Sequence, residues 1–553
     1  MAKRTKKKSR FNLLKLFRYN YVGLTLSLLF FFASLTPSLL PRPWLHQGII
    51  SGIFASVGYG CGVVVSWCWR RYVRKELSAR TKKIVWIITL VSIIPFLLFV
   101  LHVGWNWQNE VRELVGKPIQ QKTSYTRQLL VTALTVFIVV KIFQLGYACA
   151  QRLQKKTDRW LPANVAWAIS ILITIMLGWG IVKGVIFRSF VGLSSRNYGA
   201  ANRRIQTDLV QPTSAFRSGS NDSLASWETL GKQGRKFVAG GPTQEQLQTF
   251  NAEQPKLSVR AYAGLDSAPD AKSRAKLVVD ELNRTDAFSR PVLVVVTATG
   301  TGWVNPESVD ALEYMYNGNI AIASMQYSFL PSWISFSADK DNAREAGREL
   351  FNQIYDQWQT LPQQSRPKLL VFGLSLGAFG GQTAFSGEQD LQNRTDGALF
   401  LGSPNSSQLW RDFEHHRVSG TPERTPVFDN GKTVRFADEP SELSENAESW
   451  SKPRVVFLQH ASDPIVWWSP KLLFDRPDWL GESKGNDVSR HMHWIPVLTF
   501  LQVSIDQFFG TTVPDGHGHS YGGEPAEAWS YILPPANWNE QKTQNLRTIL
   551  DAY

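Results

Sequence analysis

Ser375 stands in Gly373-Leu374-Ser375-Leu376-Gly377, directly after the apolar run Lys368 to Gly373 and before the small-residue run Ala378 to Ala384. A serine with glycines two positions to either side fits the G-x-S-x-G elbow, a sharp strand-to-helix turn with no room for larger side chains. The turn lifts the hydroxyl to the C-terminal edge of a sheet, where a base can take its proton. Nucleophilic acyl chemistry then needs that base and an acid to orient it, and in this elbow's folds the chain order is serine, acid, histidine. The acid is expected at Asp463, in His460-Ala461-Ser462-Asp463-Pro464, just past the apolar run Arg454 to Gln459. A carboxylate there can hold an imidazole in the productive tautomer. Asp-Pro is also a common turn pair, and Asp396 is a weaker rival for the role. The segment Val513 to Tyr521 offers two histidines, of which His519 is preferred over His517 because it lies nearer the last helical stretch, Glu524 to Ile532.

Charge developing on a tetrahedral intermediate needs preorganised N–H donors. Leu376, the residue after the serine, supplies one, and the second is expected from Thr299-Gly300-Thr301-Gly302-Trp303, at Thr301 or Gly300. A plain glycine-rich turn would fit the same five residues. The loop lacks the Gly-Lys-Ser/Thr and G-x-G-x-x-G patterns that hold nucleotides. No cysteine or clustered carboxylate joins the alternating histidines, so the expectation is no metal and no cofactor. His415 and His416, in a polar stretch, read as solvated.

These side chains must be carried by alternating strands and helices. Pro291 to Ala298, Asn319 to Ser324, Lys368 to Gly373, Asp396 to Leu401 and Arg454 to Gln459 are short β-branched or apolar runs, with an amphipathic helix expected over Asp339 to Trp358. This alternation predicts a doubly wound, mostly parallel sheet. Asn405 to Ser451 and Val466 to Gly510 break the rhythm and read as insertions above the sheet edge.

The first third is of another kind. Five apolar runs, roughly Tyr21 to Leu40, Gly48 to Trp69, Ile84 to Trp105, Leu129 to Ala150 and Val165 to Phe187, are each long enough to cross a bilayer core, which takes about 20 residues. Of the 60 Lys and Arg in the 553 residues, 27 lie in residues 1 to 190 beside four acids, a local net of +23, while the remainder carries −8. The pI is therefore an average over two unlike parts, and nucleic-acid binding loses its main support. The N-terminal tail and the connectors after the second and fourth runs hold 19 Lys and Arg against 5 in the intervening connectors. Positive charge resists translocation, so the expected N-terminus is cytoplasmic and the part after the fifth run extracytoplasmic. Two domains are expected: a helical transmembrane bundle over 1–190 and a catalytic domain over 191–553. The small residues of the second run, Gly48 to Gly62, suit close helix packing or dimerisation. Lys141 is the one strongly charged mid-run side chain, expected to snorkel or pair within the bundle. All three cysteines fall within the first 150 residues, so the second domain uses neither disulfides nor thiolates. Collagen-like, coiled-coil and small disulfide-rich classes are excluded.

Together, Thr299 to Val304, Gln326 to Ser332, Ser375-Leu376-Gly377, Asp463-Pro464-Ile465, Arg476 to Leu480 and Gly516 to Tyr521 resemble a bacterial family of membrane-bound α/β-hydrolases that joins a multi-spanning N-terminal domain to an α/β-hydrolase catalytic domain. The resemblance spans nearly the whole chain. It implies a serine hydrolase tethered to the inner membrane. Leu374 departs from the acidic residue of such relatives, a change to the pocket wall that leaves the nucleophile in place.

The 55 residues between Asp463 and His519 include Trp467, Trp468, Leu472, Leu473, Phe474, Trp479 and the run Trp494 to Phe509. They suit either a lid or acyl-binding wall facing the membrane or an ordinary core layer. The first favours an ester of a lipid or lipid-linked envelope substrate as partner of the site, beside the bilayer itself. Two other functions share these residues: an envelope acyltransferase, and a catalytically silent membrane scaffold. Acyl length, oligomeric state and pathway leave no mark in the sequence.

Overall fold

The computed structural model describes residues 20–72, 78–119, 124–444 and 449–553. The chain divides into two compact units: one runs up to Pro37 and adds Pro41–Glu110 and Ile119–Ile175, and the other joins Ser38–Leu40 and Val111–Pro118 to Met176–Tyr553. The basic tail from Lys3 to Arg18 lies outside the described residues, as do Arg74, Lys75 and Lys122 of the connectors.

Over the first 203 residues the apolar runs become helices. Four are long and apolar enough to cross a membrane: Trp44–Tyr72, Val91–Leu114, Ser124–Thr157 and Ala163–Arg203. The run at Tyr21 is helical only over Tyr21–Ser34, 14 residues, shorter than expected. Asn20 starts it by accepting from the Val22 and Gly23 amides, and Pro37 limits its far end because proline disfavours helix before it and has no N–H to donate. Large apolar side chains point outward, Val91 and Phe143 each 70% exposed, an arrangement that suits hydrocarbon rather than water.

The small residues of Trp44–Tyr72 serve packing inside the first unit. A methyl at Gly48 or Gly52 would strike Val131 or Thr135 of Ser124–Thr157 at 2.7 and 2.5 Å, and one at Gly58 or Gly62 would strike the backbone of Tyr21–Ser34. Lys141 is exposed on its helix, near Gln144 at 3.4 Å and the Phe137 ring, rather than paired within the bundle.

The second unit is built on a seven-stranded parallel sheet: β1 (Val259–Ala263), β2 (Val292–Thr297), β3 (Ala321–Met325), β4 (Lys368–Leu374), β5 (Gly397–Leu401), β6 (Val434–Ala437) and β7 (Arg454–Leu458), in the order β1-β3-β2-β4-β5-β7-β6. Both faces are covered, so the strands read as unbroken apolar runs. In β2 the two faces separate cleanly: Leu293 and Val295 enter one core cluster, Val292, Val294 and Val296 the other. The expected helix appears as Lys340–Gln359 against the first of these cores.

Two strands lie where the sequence suggests none. β1 carries Arg260, whose buried guanidinium meets Glu313 through two contacts of 2.8 Å and Asp310 at 2.5 Å. β6 carries Arg435, which donates to the Gly431 and Leu443 carbonyls. The stretch Asn405 to Ser451 is thus no simple insertion: it holds the helix Gln408–His415 and the edge strand β6.

Candidate active site

Strand order reverses between β2 and β4, so the loops after these strands diverge and leave a crevice at their C-terminal ends, the usual ligand position in an open α/β sheet. Ser375 follows β4 there with φ +56° and ψ −123°, a strained conformation for a residue with a side chain. The flanking glycines are needed for contact reasons. A methyl on Gly373 would lie 2.7 Å from the Ala378 backbone, and one on Gly377 would lie 2.2 Å from the Thr297 carbonyl. Leu376 opens the helix Leu376–Gly381, whose first-turn N–H groups have no carbonyl within the helix.

Asp463 follows β7 and is fully buried. Its Oδ1 accepts from the Ile465 amide at 2.8 Å, while Oδ2 receives both His519 Nδ1 at 2.7 Å and the Tyr521 hydroxyl at 2.8 Å. Three donors hold this carboxylate, and the carboxylate holds one nitrogen of His519. The other, Nε2, is buried with no hydrogen-bond partner among the described residues. Ser375 and His519 line one cavity of about 410 Å³, whose wall also includes Leu374, Ile465, Trp303 and Thr299.

The other sequence candidates fall elsewhere. His517 turns to Asp487, 3.3 Å away, and Asp396 sits at the opposite end of the sheet, paired with Lys368 at 2.8 Å and the Leu369 amide. His415 is an exposed side chain. Gly300 and Thr301 are not among the residues lining the cavity, whereas Thr299 of the same loop is. Close quarters explain this: a methyl on Gly300 would meet the Leu330 carbonyl at 2.4 Å, and its N–H faces Ser332 Oγ at 3.4 Å. Between Asp463 and His519, Trp467, Leu472 and Trp479 are buried in the core, while Phe508 is half exposed and lines the cavity. That segment is therefore divided, with part of it in the core, Phe508 at the site and Phe474 exposed.

Four positioning residues escaped the sequence reading. Gly402, after β5 with φ +51°, leaves the space that His519 fills: a methyl there would come within 2.5 Å of the imidazole and 3.0 Å of Asp463. Tyr521 orients Asp463 from the side opposite Ile465. His460 and Ser462 grip Gly518, the neighbour of His519, from both sides: His460 Nδ1 donates to its carbonyl and Ser462 Oγ accepts from its amide, each at 2.8 Å. His460 Nε2 in turn meets Glu524 Oε2 at 2.8 Å. Burial alone would lower the His460 pKa, but the charge and hydrogen bond of Glu524, helped by Gly518, push it up to about 9. The ring is an imidazolium at neutral pH. The Gly518 grip joins residues 56 and 58 positions apart and leaves no local pattern.

A solved cutinase structure, "Trichoderma reesei cutinase in complex with a C11Y4 phosphonate inhibitor", aligns at 16% identity over 43% of this chain and 82% of its own, with a TM-score of 0.20. No curated protein matches. The model of the alpha/beta-hydrolase family N-terminus matches residues 35–242, and that of the alpha/beta-hydrolase family itself matches 259–546, the stretch holding all seven strands, the elbow and both loops of the site. The chain belongs to the alpha/beta-hydrolase family.

Proposed function

We propose that this protein is a membrane-anchored serine esterase acting on an acyl ester of a lipid or lipid-linked envelope compound. The observation that carries the reading is His519: one imidazole nitrogen is fixed by a buried carboxylate, and the other is unpartnered at a cavity it shares with Ser375. In the proposed reaction His519 Nε2 takes the Ser375 proton as Oγ forms a bond to the acyl carbon. The ester C–O bond breaks as the proton passes to the leaving alcohol. Water, deprotonated by the same nitrogen, then releases the carboxylic acid and restores the serine. Leu376 N–H, next to Ser375 at the start of its helix, serves the oxyanion.

The lipid reading is supported by the aromatic rim. Trp333 and Phe508, 42% and 53% exposed, meet edge to face at 5.3 Å and both line the cavity. Trp333 also meets Phe190 at 6.0 Å. Exposed aromatics of this kind suit a lipid surface or an acyl chain. The basic connectors support a cytoplasmic N-terminus, and counting the short helix Tyr21–Ser34 as a fifth crossing beside the four long ones puts the hydrolase unit outside the cytoplasm, at the inner membrane.

The test is turnover of a p-nitrophenyl decanoate micelle by the full chain in detergent, beside Ser375→Ala. The expected result is release of free decanoic acid by the wild type and a loss of several powers of ten in the variant. Equal rates would overturn the reading, and transfer of the acyl group to an added alcohol without free acid would replace hydrolase by acyltransferase.

A further inference from the structure

The cavity wall carries two unlike groups of residues: the apolar Trp333, Phe508 and Ile465, and the polar Asn305, Glu307, Asp515 and Ser520. Both carboxylates are held in place. Glu307, in the first turn of Pro306–Met315, receives Asn305 Nδ2 on Oε2 at 2.5 Å, and Asn305 is itself fixed by accepting from the Ser308 amide at 2.9 Å. Asp515 Oδ1 receives the Ser520 hydroxyl at 2.7 Å, and Ser520 adjoins His519. Burial and repulsion from Asp310 and Asp515 raise the Glu307 pKa from its ordinary value, and the second of these places the two lining acids in one electrostatic neighbourhood. His519, 8% exposed, turns its unpartnered Nε2 to the same space. Among the lining residues there is no lysine or arginine.

Two carboxylates without a compensating cation repel a phosphate-bearing group. The second N–H of the Asn305 amide is a donor, and the Ser520 oxygen and the carboxyl oxygens accept, so the group offers both a donor and acceptors, the set that neutral hydroxyl groups require, whereas a cation would use acceptors alone. The position beside His519 is where the departing alcohol receives its proton. We infer that the alcohol half of the ester is a neutral polyol, a sugar or glycerol, held by Glu307 and Asp515, and that esters of phosphate-bearing alcohols are excluded. This rests on the esterase reading above.

The experiment compares kcat/KM of the full chain in detergent for five decanoyl esters: p-nitrophenyl decanoate, glucose 6-decanoate, monodecanoylglycerol, decanoylcholine and decanoyl lysophosphatidate. The glucose or glycerol ester should exceed the lysophosphatidate by about tenfold or more, equal to about 1.4 kcal/mol. Glu307→Gln and Asp515→Asn should each shrink that ratio, chiefly through KM of the polyol ester. A preference for the choline or phosphate ester would overturn the inference, as would an unchanged ratio in both variants. If p-nitrophenyl decanoate turns over without a polyol preference, only this inference fails; if no ester turns over, the esterase reading fails and takes it along.

Discussion

Two histidine-carboxylate pairs sit within one pair of loops, and they are built to opposite ends. His460 lies between Glu524 and the Gly518 carbonyl, with both ring nitrogens engaged at 2.8 Å and Tyr521 stacked on it at 4.2 Å. His519 has only Nδ1 engaged, at 2.7 Å from Asp463. The first ring has both nitrogens committed to acceptors inside the fold, an arrangement that favours its charged form. The second is held at one nitrogen and available at the other, as a proton shuttle must be. The difference teaches that a buried histidine beside a carboxylate is not by itself a sign of catalysis; the uncommitted nitrogen is.

Breaking the second pair should have the larger effect on turnover. Asp463→Asn keeps the shape but removes the charge that selects the tautomer, and kcat for ester hydrolysis should fall by roughly 10⁴ with the thermal midpoint little changed. A drop of less than tenfold would mean that Asp463 is only a turn residue.

Breaking the first pair should act mainly on stability. His460→Gln strands Glu524, and losing one partner of a buried ion pair costs about 3–5 kcal/mol. The pH dependence has a definite sign. The His460 pKa of about 9 stands above its ordinary 6.5, so the pair's contribution is complete below about pH 6.5 and wanes as pH rises through 9. Thermal midpoints of the wild type should therefore decline from pH 6.5 to 9, and the variant should start lower and lack that slope. A variant that keeps the wild-type midpoint and slope would show the pair to be idle.

This comparison also marks where sequence reading reached its limit. Strands β2, β3, β4, β5 and β7 are apolar runs that only a buried parallel sheet explains, and they were legible as such. β1 and β6 were not, because Arg260 and Arg435 interrupt the apolar pattern, and what makes each acceptable is distant in the chain: Asp310 and Glu313 for one, the Leu443 carbonyl for the other. In the site, Ser375, Asp463 and His519 could be read because the elbow and the strand ends give them local context. The space at Gly402 and the grip of His460 and Ser462 on Gly518 could not, since each exists only after separate loops meet. The first helix shows the same limit at a smaller scale. Hydropathy runs on to Leu40, but Pro37 ends the helical part at Ser34.

The central claim is that Ser375 is activated by a histidine with a free nitrogen. It is tested most directly by reacting the purified full chain in detergent with a fluorophosphonate and mapping the labelled peptide, for the wild type and Ser375→Ala. The account predicts one adduct, on Ser375, absent from the variant. Labelling that persists in Ser375→Ala, or folded wild type that takes up no label, would contradict it.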